Sequence, residues 1–233
     1  YCEALILILL LAGCALSVDT RYPFDFSRFH DGPLPEDVKP YLEGGPQSLI
    51  TPKVSALAER ITGANRRERL FKAMRFVWGY FSYDSWLNSL KCKRTAEELY
   101  ESRVLGGCSD YALAECTLFR AVGIPARLVV TANVDWIHQY RQDDLAMAEG
   151  HCFVEVYLED RWHLVDSTYR WLFSGYKPGG AVWFPHGECF CRRGKDFWDM
   201  GIRDGDDLSR VLVHRALNYE GHFEEPAYKK SPI

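Results

Sequence analysis

The stretch "LGGCSDYALAECTLFRAVGIPAR", Leu105 to Arg127, decides the fold. Two glycines precede a cysteine, and helical periodicity follows it. Ala112, Cys116, Phe119 and Val122 are spaced for one buried face. Gly123 is placed to end the helix, and Pro125 prevents its restart. The spacing therefore predicts a helix over 108–122 with Cys108 in its first turn. A helix N-terminus carries partial positive charge and unpaired N–H groups, and both favour thiolate over thiol. Gly106 and Gly107 carry no side-chain bulk, so a substrate backbone can come close. Asp110 suits the helix N-terminus electrostatically but works against a thiolate, so its expected role is structural. Cys116 is expected to be packing on the apolar face.

Three extended segments come next. "ARLVVTAN" (126–133) is a strand by its β-branched content. "HCFVEVYL" (151–158) and "RWHLVDST" (161–168) are two more, joined at Glu159-Asp160 as a tight hairpin. If Leu158 pairs with Arg161, Phe153 lies opposite Asp166 and His151 opposite Thr168. Alternate residues share a face, so His151, Phe153, Glu155 and Tyr157 lie with Trp162, Leu164 and Asp166. His151 and Asp166 are then diagonal neighbours, roughly 7–8 Å apart at Cα. A one-residue slip would send Asp166 to the other face. Glu155 is a polar wall or a partner for Arg127, and Cys152 is expected to point away from His151, into the core or a disulfide. A thiol, an imidazole, an acid to orient it and an N–H for an oxyanion are the parts of acyl transfer.

"RVLGGCSDYALAECTLFRAVGIPARLV" followed by "GHCFVEVYLEDRWHLVDST" resembles the transglutaminase-like superfamily. That family shows a Gly-x-Cys helix start, a Gly-Ile-Pro-Ala-Arg turn, a His beginning a strand, and an Asp ending the next strand after a Trp. All four occur here in order. "FSYD" and "RTAEELYESR" resemble the family's run-in, so the likeness covers about residues 70 to 170. The resemblance implies an α+β, papain-like fold in which a Cys-bearing helix packs on an antiparallel sheet carrying His and Asp. It implies Cys108 as nucleophile, His151 as general base and acid, and Asp166 as the orienting partner. A second oxyanion donor is expected upstream, with Tyr83 and Trp86 as candidates. The implied reaction forms a thioester from a peptide or protein amide, cell-wall peptides included. Water or an amine resolves it, and hydrolysis is the preferred reading. One rival is a catalytically silent scaffold of the same fold that binds at the cell surface; the intact Cys/His/Asp set speaks against it. Another is an NlpC/P60-like peptidoglycan peptidase, which the Gly-Ile-Pro-Ala-Arg turn and the Trp-to-Asp hairpin fit worse.

The composition is that of a globular protein: 47% hydrophobic, 26% charged, net charge -4 over 233 residues. It is not basic enough for a nucleic-acid partner, and it holds no zinc-finger pattern or Gly-rich phosphate loop. No cofactor is expected. "HGECFC" (186–191) offers three soft donors where zinc wants four, so a disulfide or a loop is expected there rather than a metal. "VDWIHQYRQDDLAMAEG" (134–150) reads as an irregular polar loop, with Trp136 and His138 as candidates to border a groove.

At the start, "YCEALILILLLAGCALS" holds an unbroken apolar run, Ala4 to Ala12. It is about half the ~20 residues of a spanning helix and suits a signal-peptide core. Leu11-Ala12-Gly13-Cys14 resembles the bacterial lipobox. We expect residues 1–13 to be a lipoprotein signal peptide truncated at its start, with Cys14 lipidated. Acyl chains there would anchor the protein to a membrane of the bacterial envelope, at ~0.8 kcal/mol per buried CH₂. Residues 14–52, rich in Pro and Gly, read as a tether or a strap lying on the domain. The transglutaminase-like domain is expected over 53–233, with an aromatic-rich extension from about 170.

Overall fold

The computed structural model describes residues 25–142, 147–183, 187–221 and 229–232. The signal-peptide reading and Cys14 lie outside them. The fold is α+β: helices pack on a seven-stranded antiparallel sheet.

The first helices form where caps and apolar spacing coincide. Thr51 caps α1 (Pro52–Ala58), and Asn65 caps α2 (Arg66–Tyr80). The capping box expected at Thr95 and Glu98 is present at the start of α3 (Ala96–Ser102). The piece read as extended, "FSYDSW", is only partly so. Ser82–Tyr83 (β1) pairs in parallel with Val104–Leu105 (β2), but Ser85–Leu90 winds into a 3₁₀ helix capped by Asp84.

Helix α4 (Cys108–Ala121) is the axis of the domain, and every residue from Ser109 to Arg120 is buried. Its stop follows the sequence: Gly123 takes φ +80°, and the Ile124 N–H reaches back to Phe119 O at 2.8 Å. The chain turns directly into β3 (Ala126–Asn133). The remaining strands are β4 (Gly150–Leu158), β5 (Arg161–Asp166), β6 (Trp171–Ser174), β7 (Val182–Trp183), β8 (Gly187–Gly194) and β9 (Lys229–Pro232). They lie in the order β7-β8-β3-β4-β5-β6-β9, so the segment after 170 extends both edges of the sheet. Leu128, Val130, Ala132, Val154 and Val156 face α4 and join the main core. Val129, Phe153, Leu164 and Phe173 face the other way into a smaller apolar cluster.

The hairpin register is the expected one, with Leu158 opposite Arg161 and Val154 opposite Val165. Glu159 and Asp160 both take positive φ, 46° and 59°, the backbone of a type I′ turn.

Residues 134–141 are not a loop. They form α5 (Val134–Arg141), because Asn133 accepts the Trp136 N–H at 2.9 Å and Val134, Trp136 and Ile137 bury one side. α5 packs against α6 (Gly205–Leu217), whose N-terminus is capped by Asp204.

From residue 25 onward the leading segment is a strap rather than a tether. Its own Gln47 and Ser48 are buried against the domain; the Gln47 amide donates to Cys92 O and Arg94 O, and Asp196 accepts from both backbones. Buried Arg120 of α4 ties Ser48 Oγ (2.8 Å) to Ala126 O (2.9 Å). All six cysteines of the described residues are free thiols. No described helix is long and apolar enough to cross a membrane.

Candidate active site

Cys108 opens α4 from a backbone held open by two glycines. A Cβ on Gly106 would lie 2.5 Å from Leu87 C and 2.7 Å from Asn88 N, so only glycine lets the 85–90 segment rest there. Asp110 fixes this approach: its carboxylate accepts the Gly106 N–H at 2.7 Å and pairs with Arg94. Its role is thus structural. Gly107 O accepts the Asp110 and Tyr111 N–H groups, both at 3.1 Å, and the start of a helix leaves the N–H groups before them without helical acceptors.

His151 reaches the same place from the start of β4, and Asp166 from the end of β5. His151 Nε2 lies 3.1 Å from Asp166 Oδ1. Oδ1 also accepts the N–H groups of Thr168 (2.9 Å) and Tyr169 (3.1 Å), so the chain leaving β5 holds the carboxylate still. The Trp78 indole donates to Ser167 O at 3.1 Å and stacks on Tyr111 of α4, which locks that turn onto the helices. With Nε2 committed to Asp166, Nδ1 is the ring nitrogen left for the sulfur. Cys108 hydrogen-bonds that ring, and its pKa falls well below the ordinary thiol value. The largest cause is a hydrogen bond from Cys152; His151 adds its bond and its charge, while burial opposes both. Burial also works to lower the His151 pKa, but the bonds to Asp166 and Cys108 prevail and lift it well above the usual imidazole range. Both shifts favour the thiolate–imidazolium pair.

Cys152 corrects an expectation. It does alternate away from His151 and is buried among the core residues. That face, however, is the one α4 covers, so its thiol meets the nucleophile. Its own pKa rises well above the ordinary value, first because it donates to Cys108.

Cys108, His151 and Cys152 line a cavity of about 350 Å³ with Asn88, Tyr169 and Glu188. Tyr83 and Trp86 do not line it; they are 59% and 87% exposed. Upstream, Asn88 and Lys91 do, and the Asn88 amide oxygen would lie 2.9 Å from a Cβ on Gly107. Asn88 was missed because an isolated Asn in a 3₁₀ helix carries no motif. Trp136 is buried and His138 exposed on α5, so neither borders the cavity. Glu155 is buried and binds Arg127 and the Tyr176 hydroxyl, far down β4 from the chemistry.

Two further acids escaped sequence reasoning. Glu188 accepts from Thr131 Oγ1 at 2.8 Å on the cavity wall, and burial pushes its pKa up to about 7. Glu115 is fully buried on α4, where burial pushes its pKa up to about 8, and Asp166 adds to that. Nothing marked either one, since burial of an acid is a tertiary property. Among the described residues no group of three or more His, Cys, Asp or Glu could hold a metal ion.

Residues 55–167 match the model of a family described as the transglutaminase-like superfamily. No curated protein matches the chain. Among solved structures, one from Cytophaga hutchinsonii, named provisionally as a cysteine protease, is 21% identical with a TM-score of 0.53. The match covers 72% of this chain and 50% of that one, so this chain spans half that protein's length. A second, named as a TGase, is 20% identical over 54% of this chain and 31% of its own, with a TM-score of 0.35. The first likeness bears on the fold alone, and the second is too distant to bear on anything further.

Proposed function

This chain belongs to the transglutaminase-like superfamily, and on that premise we propose that it is a thiol-dependent acyl-transfer enzyme acting on amide bonds. One observation carries the reading: a single imidazole holds the Asp166 carboxylate at 3.1 Å on one nitrogen and hydrogen-bonds the Cys108 thiol. The Cys108 thiolate attacks the amide carbonyl, and a C–S bond forms as charge moves onto oxygen. The Cys108 N–H and the Asn88 amide are the donors offered to that oxyanion. The His151 imidazolium gives its proton to the leaving amine as the C–N bond breaks, leaving a thioester. Asp166 keeps the ring oriented throughout. Water activated by His151 then releases the acid; an amine in its place would make a new amide. Hydrolysis of peptide or protein amides, cell-wall peptides among them, is the outcome we favour. Export to a bacterial envelope and a lipid anchor at Cys14 belong to the same proposal and rest on the residues around the apolar run alone.

The test is the pH dependence of iodoacetamide labelling at each cysteine, read by peptide mass spectrometry on a soluble chain from Arg21 onward. Cys108 should label fast with an apparent pKa below ~7, and His151→Ala should remove that advantage. A Cys108 that labels like an ordinary thiol removes the enzyme and leaves a binding scaffold. With an amide substrate in hand, Asn88→Ala should lower kcat by about a hundredfold and change KM little.

A further inference from the structure

Cys189 and Cys191 take no part in the chemistry at Cys108, yet the fold builds a second thiol site around them. Against β3, the register of β8 runs Ala132 to Cys189 and Thr131 to Phe190, then jumps to Val130 and Arg192. Cys191 is the extra residue of a β-bulge. On a regular strand, residues i and i+2 are about 6.6 Å apart, near the upper limit a disulfide spans. A bulge bends the strand and shortens that reach. The two thiols hydrogen-bond to each other, and Cys191 Sγ also lies 3.7 Å from Cys189 O. From α6, the Arg215 guanidinium hydrogen-bonds Cys189. The bond from Cys191 and then Arg215, acting against burial, bring the Cys189 pKa down to about 6, while the same bond pushes Cys191 up. The pair thus keeps one proton near neutrality, held on Cys191. Cys189 is 4% exposed, whereas Cys191 is partly open to solvent and reachable by a small reagent.

We propose that Cys189 and Cys191 form a redox-active dithiol that exchanges with disulfides and closes to an intrachain disulfide, separate from the Cys108 site. The partly open Cys191 thiol passes its proton to the Cys189 thiolate as its sulfur attacks a small disulfide. One S–S bond forms, one breaks, and a thiolate leaves. Cys189 then gives up its proton and attacks the Cys191 sulfur, expelling the second thiolate. The two protein sulfurs are oxidised, the small disulfide is reduced, and the pair's one proton ends on one of the two released thiolates. Arg215 steadies the Cys189 thiolate, the base in the first step and the attacking sulfur in the second.

The experiment incubates the full chain with oxidised glutathione, then alkylates and digests with trypsin. Cleavage after Arg170 and Arg192 releases both cysteines in one peptide. The expected product is that peptide short of two hydrogens, with neither cysteine alkylated until it is reduced. Cys189→Ser should stop the reaction at a glutathione adduct on Cys191. Arg215→Met should slow closure about tenfold, and Arg215→Lys should restore most of it, which guards against misreading a folding defect. The proposal is overturned if both cysteines stay alkylatable, if only the mixed disulfide accumulates in the unmutated chain, or if Cys108→Ala prevents closure.

Discussion

The β4–β5 hairpin carries two imidazole–carboxylate pairs, one toward each end, and they rest in opposite states. At the open end His151 Nε2 meets Asp166 Oδ1 at 3.1 Å, and the imidazole pKa is lifted well above its ordinary value. At the turn end His163 Nε2 lies 3.5 Å from Glu159 Oε2, and the imidazole is held neutral, its pKa brought down to about 4. Both rings are largely buried, so burial pulls both downward. The third charge decides between them. Arg67 takes Glu159 through two nitrogens, at 2.7 Å and 2.5 Å, and its positive charge repels a proton on His163. Beside Asp166 stands Glu115, an acid that burial keeps protonated near neutrality, and the partner across the ring is a thiolate. An imidazole next to an acid is not yet a base. It becomes one here because the bonds to Asp166 and Cys108 outweigh burial, while among the described residues no guanidinium or ammonium ion-pairs with that acid.

The comparison can be broken most forcefully at Asp166. Asp166→Asn removes the carboxylate that sustains the imidazolium, so Cys108 reverts toward an ordinary thiol. Amide turnover should fall roughly a thousandfold or more, with Cys108 alkylation at pH 6–7 slowed alongside it. Retention of fast alkylation would mean that Cys152 and the helix terminus suffice to hold the thiolate.

Glu115→Gln tests the neutral acid behind the pair through stability. The unfolded carboxyl ionises near 4.5, whereas the folded one keeps its proton to about 8. Between those values the folded state holds the extra proton, so stability falls as pH rises through the window. The glutamine variant lacks that slope. Its advantage over the unmutated chain in urea unfolding should grow from little at pH 4.5 to roughly 3 kcal/mol at pH 7. Parallel stability curves would show Glu115 to be charged.

Arg67→Ala makes the turn-end pair more like the other. With the guanidinium gone, Glu159 is free to favour His163, whose pKa should rise by about one unit from its present value near 4. An NMR titration of the imidazole reads this directly. A value that does not move would leave burial as the sole cause. A shift of the same size is expected at Cys152→Ala, which removes the hydrogen bond that contributes most to the lowering of the Cys108 pKa. The apparent pKa of Cys108 alkylation should rise by about one unit while His151 still supports the reaction. An unchanged alkylation profile would make Cys152 mere packing.

Much of this was legible in the chain. The α4 periodicity, its Gly123 stop, the capping box at Thr95 and the β4–β5 register are local in sequence, and local rules of spacing and turn geometry set them. The same rules brought His151 and Asp166 together, and the family resemblance added Cys108 to them. They failed where a capping side chain outweighed a polar composition, as Asn133 did in starting α5.

What the sequence by itself determined is therefore the set of elements and which residues alternate to which face of a strand. Only the tertiary structure decided which face α4 would cover, and hence that the thiol of Cys152 meets the nucleophile. It likewise decided that Asn88, not Tyr83 or Trp86, lines the cavity, and that Arg67 stands beside one imidazole while Glu115 stands behind the other. The reason is physical. Periodicity and turns act over a few residues, but burial and Coulomb interactions act between whatever the packed helices and sheet bring close, however far apart in the chain.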